Sequence, residues 1–237
     1  MARIFITGSA AGLGLGAARA LLDDGHDVVL HARTPGRAGA LAEVAGEVAA
    51  GAAGVVVGDL SSAADTRSVA EQVNSIGRMD AVIHNAGTYL EPTRGTTPEG
   101  HARTLAVNTL APYVLTALLD RPDRLIFLSS GLHRISGGSL EDIDWSERRW
   151  NAGQAYAESK LYVTTLALAA ARRWPSVLSN AVDPGWVPTR MGGPGAPDDL
   201  ELGHLTQTWL ATSNDPASLT SGGYWHHRKL RAPAPEA

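Results

Sequence analysis

Thr7-Gly8-Ser9-Ala10-Ala11-Gly12-Leu13-Gly14 decides how this 237-residue chain is read. The residues before it, Ala2 to Thr7, form a short apolar run that predicts a strand. After it, Gly14, Ala17, Ala18, Leu21 and Leu22 recur at helical spacing and define one apolar face. The order is therefore strand, glycine-rich turn, helix. Gly8 allows the tight turn, Gly12 lets a pyrophosphate approach the backbone, and Gly14 permits close packing of the helix. The unpaired N–H groups of the first helical turn, together with the helix dipole, suit phosphate oxygens. With 26 glycines in the chain, three of them carry weight only because they follow the first strand.

The same alternation continues outward without a linker. Strands are predicted over Asp27 to Ala32, Gly54 to Gly58, Asp80 to His84, Arg124 to Leu128 and Val177 to Asp183, with a last short one over Gly222 to His226. Helices are predicted over Pro35 to Gly51, Ser61 to Ile76 (capped by Ser61 or Ser62), Pro98 to Leu119, Gly153 to Trp174 and Glu201 to Ala211. Short strands alternating with helices imply one α/β domain over residues 1–231, a doubly wound parallel sheet with helices on both faces. A ligand then lies across the carboxyl ends of the strands. Residues 232–237, Ala-Pro-Ala-Pro-Glu-Ala, are expected to fray.

Composition narrows the function classes. A 44% hydrophobic content supplies a core, and a net charge of −4 with scattered Lys and Arg points away from nucleic acid and anionic membrane. No run of about 18 apolar residues predicts a membrane span. No signal segment precedes the first strand, and there are no cysteines, so disulfides and thiolate chemistry are excluded and a cytoplasmic location is expected. The eight histidines make no metal-binding pattern, and no metal is expected. His226 and His227, on a predicted strand, would face opposite ways. His31 and His84 end strands and border the expected cofactor site, where packing is the simpler reading of both.

Tyr156-Ala157-Glu158-Ser159-Lys160 carries the chemistry. A spacing of four puts the phenol and the ammonium on one helical face. A lone phenol ionises at about pH 10, and a neighbouring cation lowers that value. A drop of about 3 units, or about 4 kcal/mol, would make it an acid/base near neutrality.

Thr-Gly-x-x-x-Gly-x-Gly near the start and Tyr-x-x-x-Lys past mid-chain resemble the short-chain dehydrogenase/reductase family. Further marks follow in that family's order: Asp59-Leu60, Asn85-Ala86-Gly87, Asn108, Ser129-Ser130, Pro184-Gly185 and Thr189. The resemblance spans nearly the whole chain and implies a Rossmann-type fold. It makes Tyr156 the proton donor to a carbonyl oxygen, or the base in the reverse direction. Lys160 would lower the Tyr156 pKa and bind the nicotinamide ribose, and Ser130 would hold the carbonyl oxygen, with Ser129 as the alternative. Asn108 would hold a water that links Lys160 to solvent. It also implies a cofactor site of Thr7, Gly8, Ser9, Ala11, Gly12, Leu13, Gly14, Arg33, Thr34, Asp59, Leu60, Asn85, Ala86, Gly87, Tyr156, Lys160, Pro184, Gly185, Val187 and Thr189. NADP(H) is the preferred cofactor and NAD(H) the alternative. The second strand ends in Ala32, not in the acidic residue that NAD-preferring members place there, and Arg33 and Thr34 offer a cation and a hydroxyl to a 2′-phosphate.

About two dozen residues separate Ser130 from Tyr156, more than in the shortest family members. This insert, Leu132 to Gly153, resembles the branch of retinol-type dehydrogenases and carbonyl reductases. His133 and Trp150 within it, and Trp186 beyond it, are the substrate-side candidates. The expected activity is hydride transfer between nicotinamide and a carbonyl or alcohol. The other classes are a sugar-nucleotide dehydratase or epimerase, which also uses Tyr-x-x-x-Lys, and a silent nucleotide sensor, whose kind usually lacks the Tyr or the Lys, both present here. Family members often pair through the helices predicted here over Pro98 to Leu119 and Gly153 to Trp174, so a homodimer or homotetramer is expected.

Overall fold

The computed structural model describes residues 1–39, 41, 52–137 and 139–237. Its strands are β1 (Arg3–Ile6), β2 (Asp27–Ala32), β3 (Ala52–Val57), β4 (Ala81–His84), β5 (Arg124–Leu128), β6 (Leu178–Asp183), β7 (Tyr224–His226) and β8 (Lys229–Arg231). They form one sheet in the order β3-β2-β1-β4-β5-β6-β7-β8. All pairs are parallel except β7 with β8. The order reverses between β1 and β4, and a crevice opens at their carboxyl ends.

Helices cover both faces because both faces of each central strand are apolar. Ile4 and Ile6 of β1 point to the layer of α1 (Gly12–Asp23) and α5 (Leu200–Thr212), where they meet Leu21, Trp209 and Leu210. Phe5, between them, points the other way. It packs in the layer of α2 (Ala63–Ile76), α3 (103–118) and α4 (Ala152–Arg173), with Val69, Leu115 and Val163. Ser62 caps α2 by accepting from the Asp65 N–H at 3.2 Å.

Several elements depart from the sequence-based boundaries. The helix expected from Pro98 begins at Arg103, because an isolated bridge between Thr96 and Ala102 folds the intervening residues into a turn. The middle of α3, Ala106–Leu110, is π-helical. Most of the helix expected over 35–51 lies outside the described residues. His226 and His227 do not face apart. The chain turns at His227 and Arg228, with φ of 48° and 59°, so the two rings stack 3.9 Å apart. The turn leads into β8, which nothing in the sequence announced. The tail is packed rather than frayed: Ala234 is buried and its N–H donates to His133 Nε2 at 2.9 Å, and Arg134 donates to the Ala232 carbonyl. No described helix is long and apolar enough to cross a membrane.

His84 shows how strongly the interior constrains charge. Its ring stacks on Phe127 at 4.6 Å and its Nε2 pairs with Thr116 Oγ1 at 3.0 Å. Burial pushes its pKa down to about 3. The unfolded chain takes up this proton near 6.5 and the folded chain does not. The His84 contribution to stability is therefore complete above about pH 6.5 and is lost as pH falls toward about 3. His84→Phe should flatten the acid side of the stability curve by up to one proton, about 1.4 kcal/mol per pH unit. Urea unfolding at a series of pH values measures this, and an unchanged slope would count against it.

Candidate active site

A cleft of about 590 Å³ runs across the carboxyl ends of the strands. At one end it is bounded by Gly8, Ala11, Gly12 and Leu13 of the glycine-rich turn and by Arg33, Arg37 and Asp59. At the other it reaches Tyr156 and Lys160. Close packing shapes the turn. Gly8 has φ +66°, which favours glycine. A Cβ on Gly14 would lie 2.4 Å from Asn85 Nδ2 and 2.5 Å from the Gly8 carbonyl. Gly14 thus serves the contact between the turn and the end of β4. Asn85 completes that contact, with Nδ2 donating to the Thr7 carbonyl at 3.0 Å, and the Ala86 N–H donates to Thr7 Oγ1 at 3.0 Å.

The cleft fits a dinucleotide. Ala11, the cap residue of α1, offers no side-chain acceptor to the first helical turn, and that turn carries no acidic residue. Those N–H groups are left for an anion. Ala32 at the end of β2 is followed by Arg33, and Arg37 joins it on the cleft wall.

Tyr156 is almost fully buried. Burial pushes its pKa up, against the lowering effect of a hydrogen bond with Ser130, and the nearby Tyr89 and Asp183 add to the rise. This corrects the expectation of a Tyr156 pKa lowered by Lys160. The Lys160 ammonium donates to the Leu128 carbonyl at 2.7 Å and stands 5.5 Å from the centre of the Tyr156 ring, while burial pulls its own pKa down to about 8. The two serines separate cleanly. Ser129 Oγ is turned into the interior, paired with Thr164 Oγ1 at 2.6 Å and donating to the Lys160 carbonyl. Ser130 is the one close enough to the phenol to lower its pKa.

Asn108 lies in the π-helical turn with its side chain already committed. Nδ2 donates to the Thr88 carbonyl at 3.0 Å and to Ser159 Oγ at 2.9 Å, and Oδ1 accepts from the Thr88 N–H at 2.8 Å. Its amide fixes the loop after Gly87, and both Nδ2 hydrogens are used, so that group has none to spare for the expected water.

The three substrate-side candidates all lie off the cleft. His133 is fully buried, its Nδ1 donating to the Ser130 carbonyl at 2.7 Å and its Nε2 accepting from Ala234. Trp186 is 59% exposed and its indole donates to the Gly192 carbonyl. The Trp150 indole donates to the Glu91 carbonyl at 3.0 Å, behind the wall. Tyr89, Glu91, Arg103, Val107 and Met191 line the cleft instead. Tyr89 sets its ring edge-on to Tyr156 with centres 4.5 Å apart. Its place two residues after Asn85-Ala86-Gly87 was the available signal. Of the expected cofactor residues, Leu60, Asn85, Ala86, Gly87, Pro184 and Thr189 also line the cleft. Thr7, Ser9, Gly14, Thr34, Gly185 and Val187 do not line it. Ser9 Oγ accepts from the His31 N–H at 2.7 Å, the Gly185 N–H donates to Asp183, and Thr34 Oγ1 accepts from the Arg37 N–H. Among the described residues no group of three His, Asp or Glu converges as a metal site.

The insert is held to α4 by one buried carboxylate. Glu158 is 2% exposed and accepts from Arg148 at 2.9 Å, the Trp145 indole at 3.1 Å and Gln154 at 3.1 Å. Arg148 also stacks over the Trp145 ring, 3.8 Å from its centre. These contacts cover the Gln154–Glu158–Tyr162 side of α4, where Tyr162 donates to the Ser139 carbonyl.

Comparison with known proteins agrees with this arrangement. Residues 8–214 match the family model described as enoyl-(acyl carrier protein) reductase. The chain is 45% identical over 239 residues to the short-chain dehydrogenase chyC of Penicillium rubens, spanning 100% of this chain and 91% of that one. It is 30% identical over 262 residues to human retinol dehydrogenase 13, spanning 99% and 78%. A blue fluorescent protein from a metagenomic library, solved in complex with NADPH, shares the fold with a TM-score of 0.78, 22% identity and 95% coverage of each chain. The chain belongs to the short-chain dehydrogenase/reductase family of oxidoreductases.

Removing Arg148 would leave the Glu158 charge buried without its main partner. Arg148→Ala should therefore destabilise the fold by about 3 kcal/mol, and adding Glu158→Gln should restore part of the loss. Urea unfolding of both variants measures this. Equal stability of Arg148→Ala and the wild type would refute the anchoring role.

Proposed function

We propose that the protein is an NADP(H)-dependent carbonyl reductase or alcohol dehydrogenase with Tyr156 as its acid/base. One observation carries the reading: Tyr156, with Ser130 and Lys160 beside it, stands at one end of a cleft whose other end carries Arg33 and Arg37, where β2 ends in Ala32 rather than in a carboxylate. The name of the human relative, a retinol dehydrogenase, and the NADPH held by the structural neighbour support the same class.

In this reading the glycine-rich turn and the start of α1 hold the pyrophosphate, and Arg33 with Arg37 takes the 2′-phosphate. The bound nicotinamide supplies or accepts the hydride. Ser130 donates to the substrate oxygen and fixes it against Tyr156. Tyr156 gives its phenolic proton to that oxygen as the carbonyl is reduced. Its raised pKa keeps the phenol protonated at neutral pH, the form that reduction needs. Oxidation needs the phenolate, so alcohol oxidation should speed up as pH rises through the alkaline range. Lys160 contributes positive charge that fades above about pH 8 and contacts the ribose.

NADPH consumption with a panel of ketones and aldehydes tests the class. Tyr156→Phe should keep cofactor binding and lower turnover by several orders of magnitude. Retention of most activity on a confirmed substrate would sink the mechanism. Arg33→Ala should weaken NADPH by about tenfold, the lower end for a charge-assisted hydrogen bond at an exposed site, and leave NADH nearly unchanged. Titration of both cofactors into both proteins checks it, and a variant that loses both alike would refute the 2′-phosphate role.

A further inference from the structure

The ends of β1, β2 and β3 meet at one imidazole. The Gly8 N–H, inside the glycine-rich turn, donates to His31 Nδ1 at 2.9 Å. His31 Nε2 lies 2.9 Å from the Gly58 carbonyl, an oxygen that can only accept. Nε2 therefore carries the proton and Nδ1 the lone pair, which fixes the ring as the neutral Nε2–H tautomer. The backbone repeats the link, with the His31 N–H donating to Ser9 Oγ at 2.7 Å and the Ser9 hydroxyl donating to the His31 carbonyl at 3.4 Å. The residue is 3% exposed yet borders the cleft beside Gly8, Arg33 and Asp59.

We propose that His31 is the positioning residue of the cofactor cradle: its neutral imidazole locks the glycine-rich turn to the ends of β2 and β3, and protonation of the ring unlocks the turn and weakens dinucleotide binding. This rests on the cofactor reading given above. A proton on Nδ1 would set two N–H groups against each other and leave the Gly8 amide, held in a left-handed conformation, without its acceptor. The groups facing the ring pull both ways. Burial disfavours its charge, whereas the Gly58 carbonyl and the Asp59 carboxylate favour it. Burial prevails, so the pKa is lowered. Arg33 and Arg37 share the cleft wall on the β2 side, and the first turn of α1 carries no acidic residue.

Three variants and a spectroscopic signature test the proposal. In the cofactor-free protein at neutral pH, the His31 ¹⁵N shifts should report a protonated Nε2 and an acceptor Nδ1, and the Gly8 amide should exchange slowly. His31→Leu removes the acceptor and should weaken NADPH and NADH alike by about tenfold. His31→Gln can still reach Gly58 but not Gly8, and should also weaken both. His31→Asn places a carboxamide oxygen near Nδ1 and cannot titrate, so it should hold both cofactors within a few-fold of wild type at neutral pH. As pH falls below 6.5, the wild type should lose affinity relative to His31→Asn, progressively toward the acid limit of the folded protein. The 2′-phosphate of NADPH also titrates at about pH 6, equally in both proteins, so their difference isolates His31. Wild-type affinity in His31→Leu, identical pH profiles for wild type and His31→Asn, or a protonated Nδ1 at neutral pH would overturn the proposal alone. Failure of the wild type to bind either cofactor would overturn the cofactor reading as well. Should His31→Leu not fold, the pH comparison and the ¹⁵N shifts decide.

Discussion

The hydrogen bond from the Lys160 ammonium to the Leu128 carbonyl is the tie on which the site depends. It joins the first half of α4 to the last residue of β5, the strand that leads directly into Ser129 and Ser130. Helix and strand could slide past one another on apolar contacts alone, since the hydrophobic effect is non-directional. A buried ammonium restricts that freedom, because losing its carbonyl partner would strand a charge in the interior. Glu158 acts on the opposite side of the same helical stretch, with Arg148 and Trp145 as partners. Tyr156 is thus placed between a cation that looks into the sheet and an anion that holds the insert.

The fold was legible in the sequence because it rests on local patterns. Apolar runs bounded by glycines and polar turns are strands wherever both faces are covered, and this chain obeys that rule from β1 to β6. The line of the cleft was legible for the same reason, since the glycine-rich turn, Asn85-Ala86-Gly87 and Pro184 each follow a strand end. Element ends were less legible. Arg103 begins α3 because residues 96 and 102 pair across a turn, and no local signal in Pro98 to Ala102 reports that pairing. β8 exists because His227 and Arg228 adopt positive φ, which their residue types do not favour.

Side-chain roles were legible only where one helix or one turn sets them. Tyr156 and Lys160 share a face by helical geometry. Ser129 and Ser130 alternate by strand geometry, so one must point inward, and the partner at Thr164 decides which. His133, Trp150 and Trp186 do not line the cleft for a common reason: each side chain is engaged by a backbone group elsewhere. The carbonyl of Glu91 claims one indole, that of Gly192 the other, and the tail at Ala234 closes over the imidazole. A polar ring near a site will take whichever acceptor or donor the tertiary fold leaves unpaired, and the sequence does not name it. Tyr89 went unnoticed because a single tyrosine in a loop has no periodicity. Its edge contact with Tyr156 exists only once the loop after β4 is held by Asn108.

The opposed shifts of Tyr156 and Lys160 change what the Tyr-x-x-x-Lys spacing means. Helical proximity alone suggests a cation that stabilises a phenolate. Burial acts on both groups against that state, raising the phenol and lowering the ammonium to about 8. As pH rises, Lys160 therefore loses its charge before Tyr156 gains one, and the phenolate–ammonium pair is not the resting form of the site. At neutral pH the resting form is a protonated phenol beside a charged lysine. Proton donation from that phenol becomes favourable only where negative charge develops on an oxygen in contact with it. Ser130 is the one group here whose hydrogen bond favours the phenolate. The side chain set to favour loss of the Tyr156 proton is thus a serine hydroxyl and not the lysine charge.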